Sequence, residues 1–445
     1  MNERRDAIRR TALARWIERA ARAVAGPPAR ALRGTARRVA DPARQVVDYW
    51  MSERATIKQG FIANFISALT SLISGIVLAA ATHRLQDVAG LLVLIPVSVG
   101  MRGNIFGALS ARLGTSIHTG LFEISADRAR PLYQNVYSAT LLTLGTSVAM
   151  ALLARGISVL VGLTTVSTFD FLAISLVGGV LSSTIVLAFT IALSIASYRR
   201  GWDLDSVGAV LITVVGDVVT LPCLLLASLL VGIHIVTQVI GIVSLLVGVV
   251  ALVRGYTTSF DVARRIVRES FPILLIAAVL DIFAGTVGQH RIDQIFAPFP
   301  IYFIFLPGFL ENTGALGSIL AARLGTKLHL GATTPSARPD AVAILDGTIV
   351  ALLGLFIYSV TAITTLWTAM ATGADYPGAW TFLGTAMVAG VLALIVAALI
   401  GYYAAILTYR FGFDPDNHTI PLVTSGMDLI GFICLIVAVI VFGVA

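Results

Sequence analysis

Eleven long apolar runs dominate this chain. An α-helix rises 1.5 Å per residue, so about 20 apolar residues cross the roughly 30 Å hydrocarbon core of a bilayer. Hydrocarbon offers no hydrogen-bonding partner, so a spanning segment must satisfy its own backbone, as a helix does. The runs predict helices at about 59–81, 88–111, 133–162, 169–197, 206–231, 234–253, 270–289, 297–322, 343–371, 380–408 and 417–444. The third run contains Arg155 and is long enough to bend or to pass beyond the bilayer. Only 12% of the 445 residues are charged, 57% are hydrophobic, and the mean hydropathy is +0.90. Soluble domains carry roughly 25% charged residues. A soluble, disordered or fibrous class is excluded, and the expected class is an all-α polytopic membrane protein.

Charge is unevenly placed. Residues 1–54 hold 13 Arg, no Lys and 6 acids, whereas the other 391 residues hold 18 bases and 18 acids. The basic excess is thus confined to an N-terminal tail, whose expected partner is the anionic face of a lipid bilayer and not nucleic acid. Ile8, Ala12, Leu13, Trp16, Ile17, Ala20 and Val24 recur at helical spacing among arginines, the pattern of an amphipathic surface helix. Gly26-Pro27-Pro28 ends that pattern, and Asp41-Pro42 marks a second helix start. The alternative for this tail is partial disorder. With the N-terminus inside, 27 Lys/Arg fall on inner segments and only Arg84 and Arg291 on outer loops. The positive-inside rule then predicts a multi-pass protein of the cell (plasma) membrane with N-in, C-out topology. The two cysteines, Cys223 and Cys434, lie inside apolar runs and form no disulfide framework.

An internal repeat orders the whole chain. Ala111-Arg112-Leu113-Gly114-Thr115 returns as Ala322-Arg323-Leu324-Gly325-Thr326, displaced by 211 residues. At that displacement Pro96, Gly103, Leu109, His118 and Gly120 match Pro307, Gly314, Leu320, His329 and Gly331. Further on, Asp203, Asp205, Thr213, Asp217, Cys223 and Gly232 match Asp414, Asp416, Thr424, Asp428, Cys434 and Gly443. The chain therefore divides into a tail (1–54), repeat one (55–232), a linking span with its inner loop (233–265) and repeat two (266–445). Five spans per repeat would invert the second copy. The linking span at 234–253 restores its orientation, so two parallel five-helix repeats share a pseudo-two-fold axis along the membrane normal. A monomer is expected, because the repeat already supplies a pseudo-dimer.

Asp217 and Asp428 are the first candidate site. Each lies about ten residues into an inward-starting span, roughly 15 Å deep. A carboxylate there costs on the order of 2.5–3.5 kcal/mol, which marks function, unless the aspartate caps a broken helix or pairs with Arg102 or Arg155. Two such groups across an axis repel, and a divalent cation relieves the repulsion. Carboxylate oxygen suits Mg²⁺ or Ca²⁺. Thr213 and Thr424, four residues earlier, place hydroxyls on the same helix faces. Pro96, Gly100, Gly103 and Asn104, and in the other copy Pro307, Gly308, Gly314 and Gly317, are expected to interrupt their helices and expose carbonyls, unless they are packing kinks. Asn104 and Asn312 could add amide oxygens. Asp281 and Glu311 are deep acids and accessory candidates, while Asp203, Asp205, Asp414 and Asp416 either gather cations at the inner mouth or cap helices. His118 and His329 read as surface or packing residues. There is no P-loop, Cys/His metal pattern or nucleophile elbow, so the chain is expected to be neither an enzyme nor an ATP-driven pump.

The stretch Pro96…Gly103-Asn104…Ser110-Ala111-Arg112-Leu113-Gly114-Thr115…His118 resembles the second-helix motif of MgtE-type magnesium transporters. Asp203…Asp205…Thr213…Gly216-Asp217 and Asp414-Pro415-Asp416…Pro421…Thr424…Asp428 resemble that family's last-helix motif. The tandem form is similar to the animal solute-carrier magnesium transporters of the same superfamily, and the resemblance covers about residues 55–445. It implies a pore on the two-fold axis in which Asp217 and Asp428 hold a largely hydrated Mg²⁺, the transported substrate, with Thr213, Thr424 and the Asn104 region beside them. Gly314-Ala315 stands where the motif has Gly-Asn, so repeat two departs from it. The expected function is Mg²⁺ transport, channel-like or coupled to a cation gradient. The alternatives are a secondary transporter of another cation and a non-transporting membrane scaffold.

Overall fold

The structure is a computed structural model that describes residues 42–125, 127–200, 204–412 and 419–444, and within them no side chain at 42–44, 55–56 or 204–210. The amphipathic pattern at Ile8–Val24 lies outside the described residues. All regular structure among the described residues is helical. A short helix α1 (Pro42–Ser52) leads into α2 (Arg54–Ala80), and α3 (Thr82–Asp87) turns the chain into α4 (Leu91–His118). Repeat one continues with α5 (Pro131–Leu160), α6 (Thr168–Arg200) and α7 (Leu204–Ser228). The linking helix is α8 (His234–Thr257). Repeat two comprises α9 (Asp261–His290), α10 (Ile301–His329), α11 (Ala341–Thr372), α12 (Ala379–Phe411) and α13 (Ile420–Val441), with a π-helical turn at Ile292–Phe296 where repeat one has α3.

Eleven of these helices are long and apolar enough to cross a membrane, as the runs predicted. The chain is a multi-pass membrane protein. Two expectations about individual helices need correction. The prolines and glycines do not interrupt α4 or α10: both run unbroken through Pro96 and Pro307. A proline deletes one donor from the ladder, and in a packed membrane bundle the neighbouring helices hold the rest of the helix in place. The helix expected at 270–289 begins earlier, at Asp261. Its first turns carry too much charge to register as apolar, but they are held by Arg264–Asp261 and Arg265–Glu269 pairs at helical spacing, the latter at 2.8 Å.

The packing exchanges the first helices of the repeats. α2 lies along α10 and α11 of repeat two and against α7, while α9 lies along α4 and α5 of repeat one and against α13. These two sets of neighbours correspond position by position, which is the pseudo-two-fold relation in contact form. Both exchanged crossings are close backbone approaches. A Cβ on Gly75 would overlap the Ile304 carbonyl, and one on Gly285 would lie 2.8 Å from the Leu92 carbonyl oxygen. Only glycine fits either place. The linking helix α8 stays outside this arrangement. Its small residues Gly241, Ser244, Gly248 and Ala251 are buried on α5 and α6, while Ile235, Leu246, Val250 and Val253 face outward, as a lipid-facing helix requires.

Candidate ion-binding site

The exchange leaves a cavity of about 620 Å³ between the second and fifth helices of both repeats, with α2 closing one side. On α4 its lining runs from Leu92 to Thr115, roughly 35 Å along the helix and so most of the membrane thickness. Asp217 on α7 and Asp428 on α13 both face it, together with Thr213, Thr424 and Asn104. Asn104 leaves its amide nitrogen without a hydrogen bond, and Thr424 returns its hydroxyl to the Ile420 carbonyl at 3.0 Å. One turn beyond the aspartates stand Leu221 and Phe432, equivalent to one another in the repeat. With Val99 and Leu310, again equivalent, they form apolar lining on the side toward the C-terminal ends of α7 and α13.

Glu311 also lines the cavity, from α10. Ser71 on α2 donates a hydrogen bond to its carboxylate, and Ser67 supports it one turn away. Asp217 is within electrostatic reach of both Glu311 and Asp428. Asp281 sits differently: on α9, 0% exposed, beside Asp428 and Ser425 but off the cavity surface. A Cβ on Gly100 of α4 would lie only 2.7 Å from Asp281 Oδ2.

The repeat register explains this arrangement. Glu311 corresponds to Gly100, and Asp281 to Thr70, the neighbour of Ser71. In the half formed by α2, α10 and α7, the extra carboxylate is on the second helix and the hydroxyls on the first. In the half formed by α9, α4 and α13, the carboxylate is on the first helix and the second has a glycine that makes room for it. Each half thus adds one further carboxylate near the two fifth-helix aspartates, supplied from opposite sides of the same helix crossing. Alignment alone leaves Asp281 without a counterpart. Its counterpart in space is Glu311.

Not every expected residue reaches the site. Asn312 is 0% exposed and faces away from the cavity, its amide donating to the Gly308 carbonyl at 2.6 Å and to Thr361 Oγ1 at 3.4 Å. Its register equivalent, Met101, is buried in the same way. Asp203, Asp414 and Asp416 lie outside the described residues, as does the side chain of Asp205. His329 bonds the Gly325 carbonyl at 2.8 Å and packs on Tyr409, a packing role. Among the described residues no three Asp, Glu, His or Cys side chains converge as a compact metal-ligand set.

One polar cluster escapes pattern reading. At the C-terminal end of α10 and the N-terminal end of α11, Asp346 is fully buried and accepts from Arg323 at 2.7 Å and from Lys327 at 2.7 Å. Tyr49 on α1 donates to Asp346 at 2.7 Å and accepts from Lys327 at 2.6 Å, and Glu53 pairs with Arg323 at 3.3 Å. Burial and then the Asp346 carboxylate push the Tyr49 phenol well above its ordinary range, so it stays protonated at neutral pH. In repeat one the equivalents of Asp346 and Lys327 are Asn135 and Ser116.

A family model described as MgtE, divalent cation transporter, matches residues 95–227 and again 306–438, more than half of the chain and displaced by the same 211 residues as the repeat. The chain belongs to the MgtE family of divalent cation transporters. The two MgtE units take in nearly all of the four cavity-forming helices and both fifth-helix aspartates, and exclude α2, α8 and α9. Over its greater length this MgtE chain is similar to solute carrier family 41 member 3 of Rattus norvegicus, 24% identical over 404 residues that cover 85% of each chain. It is also 24% identical to the Mus musculus protein of the same name over 384 residues, covering 78% of this chain and 74% of that one. No solved structure matches it significantly.

Proposed function

We propose that this chain moves Mg²⁺ across the cell membrane as a monomer, through the cavity between its repeats, with its N-terminus cytoplasmic. The observation that carries the reading is the meeting of Asp217, Asp428 and Glu311 on one cavity between equivalent helices of a divalent-cation-transporter fold. The ion is held through its water shell. Mg²⁺ prefers six oxygen ligands and gives up water reluctantly, which fits a place with acids but no compact ligand set. At about 30 Å³ per water, 620 Å³ holds roughly 20 water volumes, ample for a hexahydrated ion. Hydroxyls and amides at Thr213, Thr424 and Asn104 then bond the shell. Orientation rests on the excess of Lys and Arg on inner segments. A membrane potential would supply about 4.6 kcal/mol per 100 mV for the divalent ion, twice the single-charge value. Asp281 favours a second form of this reading, exchange against another cation, because it sets a fully buried carboxylate beside Asp428 but off the main cavity.

The test is Mg²⁺ flux into proteoliposomes, followed with an internal Mg²⁺ dye. Wild-type flux is expected, with loss in Asp217→Asn/Asp428→Asn at unchanged chromatographic profile. Unchanged flux in that double variant would remove the site, and no wild-type flux under any gradient would remove the transporter reading. An imposed Na⁺ or H⁺ gradient that drives Mg²⁺ separates exchange from conduction.

A further inference from the structure

The elbow between α1 and α2 forms, with α11, an apolar groove of about 400 Å³. Val47, Trp50, Met51, Phe61, Ile62 and Leu352 make its walls. Val47, Met51 and Ile62 are each more than half exposed, at 52%, 63% and 51%. Arg54 and Lys58 complete the lining, one helical turn apart on α2 and both exposed. The apolar span begins at Ile57, which places these two cations at headgroup depth with the apolar walls running toward the hydrocarbon.

The repeat supplies an internal control. Arg54 and Lys58 correspond to Arg265 and Glu269 at the start of α9. There the arginine is neutralised by its neighbour at 2.8 Å. In repeat one the acid is replaced by a second base, and among the described residues neither cation has an ion-pair partner. Two adjacent cations over an unfilled apolar groove call for a ligand with an anionic head and apolar chains. The Arg-rich segment at residues 1–41 has the wrong sign to fill it.

We propose that this groove is a binding site for one anionic phospholipid, its phosphate held by Arg54 and Lys58 and an acyl chain lying along Trp50, Phe61 and Leu352. The site is coupled to the transport core. Trp50 donates to Thr348 on α11 at 3.0 Å, and its neighbour Tyr49 belongs to the buried cluster of Asp346, Arg323 and Lys327. A lipid in the groove therefore braces α1 against the C-terminal end of α10, the helix that carries Glu311 into the cavity.

The experiment takes the full-length protein from nanodiscs of equal phosphatidylglycerol and phosphatidylcholine and measures co-retained lipid by native mass spectrometry. The wild type is expected to retain one phosphatidylglycerol in preference to phosphatidylcholine by about tenfold. That preference should fall to parity in Arg54→Gln/Lys58→Gln and persist in Arg265→Gln. Leu352→Trp, which fills the groove and leaves both charges, should also lose the lipid. All four changes fall on partly or fully exposed side chains, and size-exclusion profiles verify the fold. Equal retention of the two lipids by the wild type, or a preference that survives the double variant, would overturn the proposal. So would equal loss in Arg265→Gln, which would reduce the effect to overall charge. Lipid retention is read without transport, so the result stands apart from the Mg²⁺ assignment.

Discussion

At the scale of single residues the candidate site is a set of four neighbouring acids, with Glu311 in reach of Asp217 and Asp428, and Asp281 beside Asp428. Neutralising Glu311 as Gln keeps its bond to Ser71 but removes charge from the cavity wall. It should weaken Mg²⁺ protection against thermal unfolding, with an apparent Kd raised about tenfold for roughly 1.4 kcal/mol of lost attraction. Gly100→Ala drives a methyl into Asp281 and should cost about 1–3 kcal/mol of stability. In Gly100→Ala/Asp281→Ala the two side chains no longer collide, so a double-mutant cycle should show favourable coupling by thermal melts; additive losses would mean the contact is not as placed. Asp217 and Asp428 are legible in the sequence because a charge deep in an apolar run is costly and a matched pair is harder still to explain by packing. Asn312 is misread because it was chosen for its amide chemistry. On a helix only positions in register with the cavity stripe Pro307, Leu310, Glu311 and Gly314 can reach it, and Asn312 falls off that stripe.

At the scale of elements the runs give away the helices, while their ends follow local chemistry that hydropathy does not record. α11 is started by Asp340, whose carboxylate accepts from the Ala343 amide at 2.9 Å and from Thr333 at 2.6 Å. Burial alone would raise this carboxyl, yet the bonds from Thr333 and from the backbone amides of Ala343, Thr334 and Val342 outweigh it and hold it below the usual range. A depressed carboxyl contributes stability above its unfolded pKa and loses it as pH falls through its folded value. Asp340→Ala should therefore cost about 1 kcal/mol at neutral pH, and the gap to wild type should close in strong acid, as read from melting curves across pH. The apolar layer of Val99, Leu221, Leu310 and Phe432 predicts a second element-scale effect. Shaving Leu221 and Phe432 to Ala should raise Mg²⁺ leak in proteoliposomes if this layer is the barrier to water and ions. Unchanged leak would place the barrier elsewhere.

At the scale of the whole molecule, duplication is visible in sequence but exchange is not. A displacement of 211 identifies equivalent residues and says nothing about which copy of a helix they touch. The partners of α2 and α9 are fixed by the glycine crossings at Gly75 and Gly285, single residues with no distinctive spacing. Since each repeat packs its first helix on the second and third helices of the other, residues 1–232 and 258–445 expressed separately should not yield monodisperse protein. Co-expressed, they should copurify as one particle. Independent folding of either part would show that the exchange is dispensable. With α2 and α9 each packed on the second and third helices of the opposite copy, the two repeats are interlocked.

The same interlock sets a timetable for biogenesis. The glycine face of α2 meets its partner at Ile304, some 230 residues later in the chain. At about 5–20 residues per second of synthesis, α2 waits in the membrane for roughly 10–45 s before α10 exists. For that interval its polar residues Asn64, Ser67, Ser71 and Ser74, all buried in the finished protein, lack the cover of repeat two, including the Glu311 that Ser71 bonds. α2 is therefore made long before the neighbour that covers it, and it finds its final place only when the second repeat arrives.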